Sequence, residues 1–311
     1  MVAIVSVSKA HESGSRRWYS ALETVLSKSN DKSTPEMSSD HLLQLSSVGV
    51  RDVYCQGNCR GHSAEEYSST TTLVFPYRGT YVRHLGGNQA VAEANQILFF
   101  NVGEGYRISH PIVGGDASLS LTIHPSLLLE MAPVSLLHGR AKGTFRCQRL
   151  RIDARTQALV AMLRHSLRQK IAEPLEAESL ALTLVQRALG PRTSRAAAGS
   201  AGRRHLVDRI KLLLAGDLTR RWTLGDIAAE VPWSPIYLTQ VFQEVEGMPL
   251  YRYQLHLRLA RSLDLLDRYD DLTALALEVG FSSHSHFSAA FRRAYGRSPS
   301  EFKRFALGRI R

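Results

Sequence analysis

Apolar residues fall at helical spacing through the last third of the chain and in short, strand-like runs before it. Within residues 276–302, Phe287, Phe291, Ala294 and Tyr295 lie three and four residues apart, an apolar face that must pack on another helix. Gly280 predicts a tight turn before this helix, Ser282 or Ser283 opens it, Gly296 stops it, and Ser298-Pro299 starts the next. His284, Ser285, Ser288, Ala289 and Arg292 are left facing outward. Two helices joined by a short turn, the second with small polar side chains outward and arginine at its far end, make a helix-turn-helix pattern.

The pattern occurs twice. A slide of 48 residues matches Ala228 to Ala276, Glu230 to Glu278, Val231 to Val279 and Ser234 to Ser282, and a slide of 49 matches Phe242 to Phe291 and Gly247 to Gly296. Between the copies, Leu250, Tyr253, Leu257, Ala260, Leu263 and Leu266 predict one long helix over 250–268 that holds the units at fixed separation. Two such units on one rod can enter successive major grooves, roughly 34 Å apart on B-DNA.

On these residues, with Ile227, Leu238, Arg258, Leu265, Phe281, Ser285, Phe287 and Phe302, the C-terminal region resembles the DNA-binding domain of the AraC/XylS transcription regulators. The resemblance covers about a third of the chain.

Before it the texture is different. Thr70, Thr72 and Val74 alternate with their neighbours, GTYVRHL follows a Pro-Tyr-Arg-Gly turn, ANQILFF is a compact apolar run, and Leu119, Leu121 and Ile123 alternate. Many short strands with Gly-Gly punctuation predict a barrel or sandwich over residues 41–148. The segment FFNVGEGYRISHPIVGGD resembles the middle of the cupin-like effector barrel found N-terminally in the same regulator family. Leu159, Met162, Leu163 and Leu167, then Leu175, Leu182, Val185 and Leu189 beyond Glu173-Pro174, predict a helical hairpin within 149–190. It resembles the self-association helices of family members, although amphipathic helices can equally cover a barrel. Residues 1–40 read as a mobile, core-poor segment and 191–203 as a flexible linker, leaving 204–311 for the DNA-binding domain. The expected fold class is α+β multidomain, a cupin-like barrel with a helical hairpin followed by an all-α domain with two helix-turn-helix units.

Composition narrows the partners. The 311 residues suffice for about two domains. No apolar run approaches the ~18 residues of a membrane span, and no leader is evident, so a cytoplasmic location without membrane contact is expected. A net charge of +11 favours polyanions. Its placement matters more: from His284 onward seven basic residues face only Glu301, whereas residues 222–247 hold Asp226, Glu230, Glu244 and Glu246 and no Lys or Arg. The second unit is expected to supply most salt-sensitive affinity. Three cysteines, Cys55, Cys59 and Cys147, argue against a disulfide framework.

The resemblance places base reading on Ile236, Thr239 and Gln240 in the first unit and His284, Ser285, His286 and Ala289 in the second, where Gln suits adenine and Ile or Ala a thymine methyl. Positions 240 and 289, often Arg in the family, are Gln and Ala here, which implies less dependence on guanine. Pro232 stands where the second unit has Gly280, so the first unit must turn differently. Arg292, Arg293, Lys303 and Arg304 are the candidate phosphate contacts. Tyr77, Arg78, Tyr81, His84, Tyr106, Arg107 and His110, near Pro76, mix aromatic and cationic groups suited to an anionic or hydroxylated effector, and equally to barrel packing.

Cys55, Cys59 and His62 offer soft metal ligands at short spacing, with His84, His110 and His124 on or beside strands, but the HxH pair of metal-binding cupins is missing. No cofactor, metal or catalytic residue is therefore assigned. Neither a phosphate loop, a GxSxG elbow nor HExxH occurs. The expected protein is a sequence-specific regulator of transcription, an activator, binding double-stranded DNA as a homodimer under a small-molecule effector, with RNA polymerase as a further partner. Two alternatives stay open: a regulator whose N-terminal domain works through protein partners without a ligand, and a metal-dependent cupin enzyme fused to a DNA-binding domain.

Overall fold

The computed structural model describes residues 37–57, 61–138, 143–190, 200–306 and 308. Ten strands form two antiparallel sheets: β1 (Met37–Gln44), β2 (Val48–Cys55), β3 (Glu66–Tyr67), β4 (Thr72–Arg78), β5 (Tyr81–Leu85), β6 (Asn88–Ala92), β7 (Gln96–Phe100), β8 (Gly105–Ser109), β9 (Asp116–Ile123) and β10 (Arg149–Arg151). The larger sheet runs β1-β2-β9-β4-β7-β10 and the smaller β3-β8-β5-β6. No ladder joins the two among the described residues, so the expected barrel is an open one.

Its start differs from expectation. Strand β1 begins at Met37, inside the segment read as mobile, and pairs along β2 from Met37 opposite Cys55 to Gln44 opposite Gly49. Ser38, Ser39 and Asp40 give this edge strand no apolar alternation, so sequence pattern could not reveal it. The rest of that expected segment lies outside the described residues, as do Cys59 and residues 191–199 of the expected linker.

The large sheet is apolar on both faces, and the two faces serve different cores. Leu73, Phe75, Ile97, Phe99, Leu119 and Leu121 point to one side, into a core shared with helices. Alternate residues Leu98 and Phe100, with Val74, point to the other and meet Tyr81 and Ala92 of the small sheet. The helices on the first side are α1 (Pro125–Met131), capped by His124, α2 (Ala154–Arg168) and α3 (Pro174–Leu189). Asp153 accepts from the Thr156 amide to cap α2, and Pro174 opens α3. The four residues expected on one face of α2 divide: Leu163 and Leu167 enter the sheet core, Leu159 flanks it, and Met162 packs toward the C-terminal helices.

Those helices are α4 (Ala201–Gly216), α5 (Leu224–Glu230), α6 (Pro235–Glu246), α7 (Leu250–Leu265), α8 (Leu272–Glu278), α9 (His284–Tyr295) and α10 (Pro299–Ala306). Helix α4 is capped by Ser200, so the last positions of the expected linker are helical. The long helix α7 places Leu250, Tyr253 and Leu257 in one small core with α4–α6, and Leu259, Leu263 and Leu266 in a second with α8–α10.

Charged side chains join the sheet to this helical part. Asp264 of α7 receives a bidentate pair from Arg78 of β4 (2.8 and 3.0 Å), a bond from Arg164 of α2 (2.8 Å) and one from Arg261 (2.6 Å). Burial alone would raise the Asp264 carboxyl, but Arg78 and Arg164 outweigh it and hold it below the usual carboxylate range. At a second point Arg149 of β10 pairs with Asp208 of α4 (3.2 Å), while buried Lys211 meets Glu246 (2.5 Å) and Arg151 donates to the Glu246 carbonyl. Both junctions are built of buried charges with more than one partner, the arrangement that offsets desolvation best.

Candidate DNA interface and sensor site

The duplicated units superpose element by element in sequence. Helices α5 and α8 have seven residues each, α6 and α9 twelve, and both longer helices start from a serine cap (Ser234, Ser283) and end at a left-handed glycine (Gly247, φ 66°; Gly296, φ 81°). The one-residue difference between the slides lies in the turns. In the second unit the Gly280 amide bonds to the Leu277 carbonyl and the Phe281 amide to Ala276, a Schellman ending with Gly280 at φ 86°. In the first, Val231 is extended and the Trp233 amide bonds to the Val231 carbonyl, so proline is accommodated by a different turn.

Burial sorts the two long helices as their spacing predicts. Leu238, Val241, Phe242 and Val245 are buried on α6, and Phe287, Ala290, Phe291 and Tyr295 on α9. Ile236 is 72% exposed, Gln240 is exposed and Thr239 half-buried, its hydroxyl spent on the Ile236 carbonyl (2.8 Å). His284, Ser285, His286 and Ala289 are all exposed; His286 sets its ring edge-on to Phe281 (5.3 Å). Apart from half-buried Thr239 and the His286 ring on Phe281, the candidate readers stand clear of the buried face of each helix.

The candidate phosphate residues separate. Arg292, Arg293 and Arg304 are exposed, Arg304 with its guanidinium over Phe305 (4.7 Å). Lys303 is tied down instead: its ammonium donates to the Tyr269 carbonyl (2.5 Å) and pairs with Asp270 (3.2 Å). The acidic balance of the first unit is also smaller than its sequence suggests, since Glu246 is buried against Lys211.

The residues grouped as effector contacts do not converge. Tyr77 lies on the helix side of the large sheet, its hydroxyl donating to Asp52 (2.7 Å) and its ring under Arg164 (3.9 Å), and Arg78 belongs to the Asp264 junction. Arg107 is exposed. His84 bonds to Ser109 (2.8 Å) and stacks near His62 (4.2 Å). Tyr81 and Tyr106 face the space between the sheets, with His110 6.3 Å from the Tyr81 ring. That space holds groups the sequence reading passed over. Arg83 is buried, its guanidinium over Phe100 (4.2 Å), with one nitrogen on the Phe99 carbonyl (2.7 Å), another on Glu104 (3.2 Å) and Nε unpartnered. Arg51 lies opposite Ser120, and burial lowers its pKa against the smaller opposing influence of Tyr106. No carboxylate pairs with Arg51 among the described residues, and Ser118 Oγ is buried near the Tyr81 hydroxyl. Strand pairing puts Arg51, Ser118 and Ser120 on one face of the large sheet, while Arg83 shares a face of β5 with Tyr81 in the small one.

Histidine and cysteine also regroup. Among the described residues the single cluster with metal-binding reach is Cys55, His110 and Asp116, not Cys55 with His62. His124 is exposed at the α1 cap. No helix of the described residues is long and apolar enough to cross a membrane.

Comparison with known proteins agrees with this geometry. Residues 227–304 match a family model described as a helix-turn-helix domain. The chain is 26% identical to the probable transcriptional regulator LumQ of Photobacterium leiognathi over 71% of its own length and 87% of that protein's. It is 33% identical to the transcriptional activator FapR of Escherichia coli, but over 31% of this chain and 37% of that one. The uncharacterized regulator YidL of Escherichia coli is likewise matched over only 33% of its length, at 31% identity. Among solved structures, ToxT of Vibrio cholerae is matched over 89% of this chain and all of that one, at 14% identity and a TM-score of 0.34, too low to transfer any ligand. The paired helix-turn-helix units and these matches make residues 227–304 a helix-turn-helix domain of the kind found in regulators of transcription, to which the chain is similar.

Proposed function

We propose that the protein is an effector-controlled activator that reads operator DNA through α6 and α9 as a pair of chains. The observation that carries this is the double linkage of α7: it supports both reading helices, and its Asp264 is bound to Arg78 and Arg164 of the N-terminal half. A molecule that moves the large sheet shifts where the reading helices stand, which is a population shift with a physical path. Ile236, Thr239, Gln240, His284, Ser285, His286 and Ala289 serve as base contacts; Arg292, Arg293 and Arg304 hold phosphates. The space between the sheets suits a small anion, because Arg51 and Arg83 are desolvated cations. Exposed Leu175 (74%) and Ile171 at the start of the α3 hairpin arm support pairing of two chains there.

Selection of genomic fragments with the full chain at two salt concentrations tests the reading. Recovery of one motif as a spaced pair is expected. Recovery of random fragments at both concentrations would sink sequence-specific recognition. Small carboxylic and sugar acids that raise the melting temperature should lose that effect in Arg51→Leu.

A further inference from the structure

Cys55 closes β2 and Asp116 opens β9, and the two are direct partners across the antiparallel ladder, so both side chains stand on the same face. His110, immediately after β8 of the other sheet, comes over them. One ligand atom from each of the three lies within 4.8 Å of the other two. His110 is 5% exposed, and its Nε2 sits 2.8 Å from Asp116 Oδ2, whose side chain is 9% exposed. That buried oxygen nevertheless accepts no hydrogen bond of acceptable geometry.

The backbone around the cluster is held by glycines at positions where a side chain has no room. A Cβ on Gly115 would come 2.4 Å from the Cys55 carbonyl oxygen, one on Gly79 2.0 Å from the Gly115 carbonyl oxygen, and one on Gly57 2.9 Å from Gly115 Cα; all three have positive φ. The Gly57 amide donates to Cys55 Sγ (3.4 Å), which orients the sulfur. The loops are thus packed against each other to fix Cys55 and Asp116.

We propose that Cys55, His110 and Asp116 bind a late first-row divalent ion, zinc by preference, that clamps the two sheets together. Thiolate, imidazole and carboxylate form the mixed S/N/O set of zinc; magnesium and calcium take oxygen ligands. One thiolate and one carboxylate balance a dication, so the loaded site is neutral and its burial costs little. Zinc binding displaces the thiol proton to solvent, with no change of oxidation state, and affinity therefore rises with pH. Three protein ligands leave a fourth position for water. Because no ladder joins the sheets among the described residues, a bond from His110 to the Cys55–Asp116 pair closes the open barrel at one end.

Chelator-stripped full-length protein is titrated with Co2+ and Zn2+. One equivalent of Co2+ should bind and give a thiolate-to-cobalt charge-transfer band; Cys55→Ser should abolish the band, and Asp116→Asn should keep it while weakening affinity roughly tenfold or more. Zn2+ should raise the melting temperature of the wild type and not of Cys55→Ser. A band that survives Cys55→Ser overturns the assignment, as does the absence of stoichiometric uptake. Should a variant fail to fold, alkylation of the wild type decides: Zn2+ must slow labelling of Cys55 relative to Cys147, and equal rates with and without the metal overturn the proposal.

Discussion

Gln240 and Arg292 are both exposed on reading helices, yet they face different tasks. On the proposed reading, Gln240, mid-helix on α6, meets base edges, and Arg292, in the last turn of α9, meets the backbone of the duplex. Gln240→Ala should cost about 1–3 kcal/mol and relax preference at one base pair, while Arg292→Ala should weaken every sequence alike and lower the salt slope by about one unit. Binding titrations at several salt concentrations distinguish the two. Lys303→Ala should leave the slope unchanged, because that ammonium already serves Tyr269 and Asp270. Exposure of the readers was legible from helical period alone. The capture of Lys303 was not, since Asp270 lies 33 residues away and only the packed domain brings them together. The scattering of the supposed effector residues has a similar cause: past the register shift at the end of β4, Tyr77 and Arg78 face the helices, whereas Tyr81 on the next strand faces the space between the sheets.

Among the elements, the two turns are the sharpest contrast. Gly280 has positive φ, and a Cβ there would meet Thr219 Cα at 2.8 Å and the Leu218 carbonyl oxygen at 3.0 Å; at Gly296 a Cβ meets open space. Left-handed backbone costs an L-residue about 1–2 kcal/mol at either position. Gly280→Ala should therefore destabilise clearly more than Gly296→Ala in chemical denaturation, and equal losses would show that contact with residues 218–219 is unimportant. The duplication, the helices and the need for a different first turn were all readable, because turn chemistry is local. The edge strand β1 and the assignment of α2 to two cores were not, because each depends on what packs alongside.

For the molecule as a whole, the charged junctions couple the sheet to the C-terminal helices. Asp264→Ala leaves Arg78 and Arg164 without their shared carboxylate, a loss of about 3–5 kcal/mol for a buried pair, and hydrogen exchange should rise in both β4 and α7. The pH dependence follows from sign. Asp264 has a folded pKa below its ordinary 3.8, so its contribution is complete above that value and is lost as acid titrates the folded carboxylate. His256 on α7 acts in a milder range: burial first, then Arg252 and Arg151, lower its folded pKa below 6.5. The unfolded chain takes up that proton first, so stability should decline as pH falls below 6.5, and His256→Gln should flatten the decline in thermal melts across that window.

The large sheet is one residue thick, and each of its central strands carries two messages. Odd positions such as Leu73, Phe75, Ile97 and Phe99 touch the helices; even positions such as Val74, Leu98 and Phe100 touch the space between sheets. A saturation screen that scores regulation should consequently return a two-beat pattern along β4 and β7. Substitutions at one parity would change which molecules elicit a response, and those at the other would fix the response on or off whatever molecule is supplied. On the proposed reading, what the protein senses is thereby separable from how it answers.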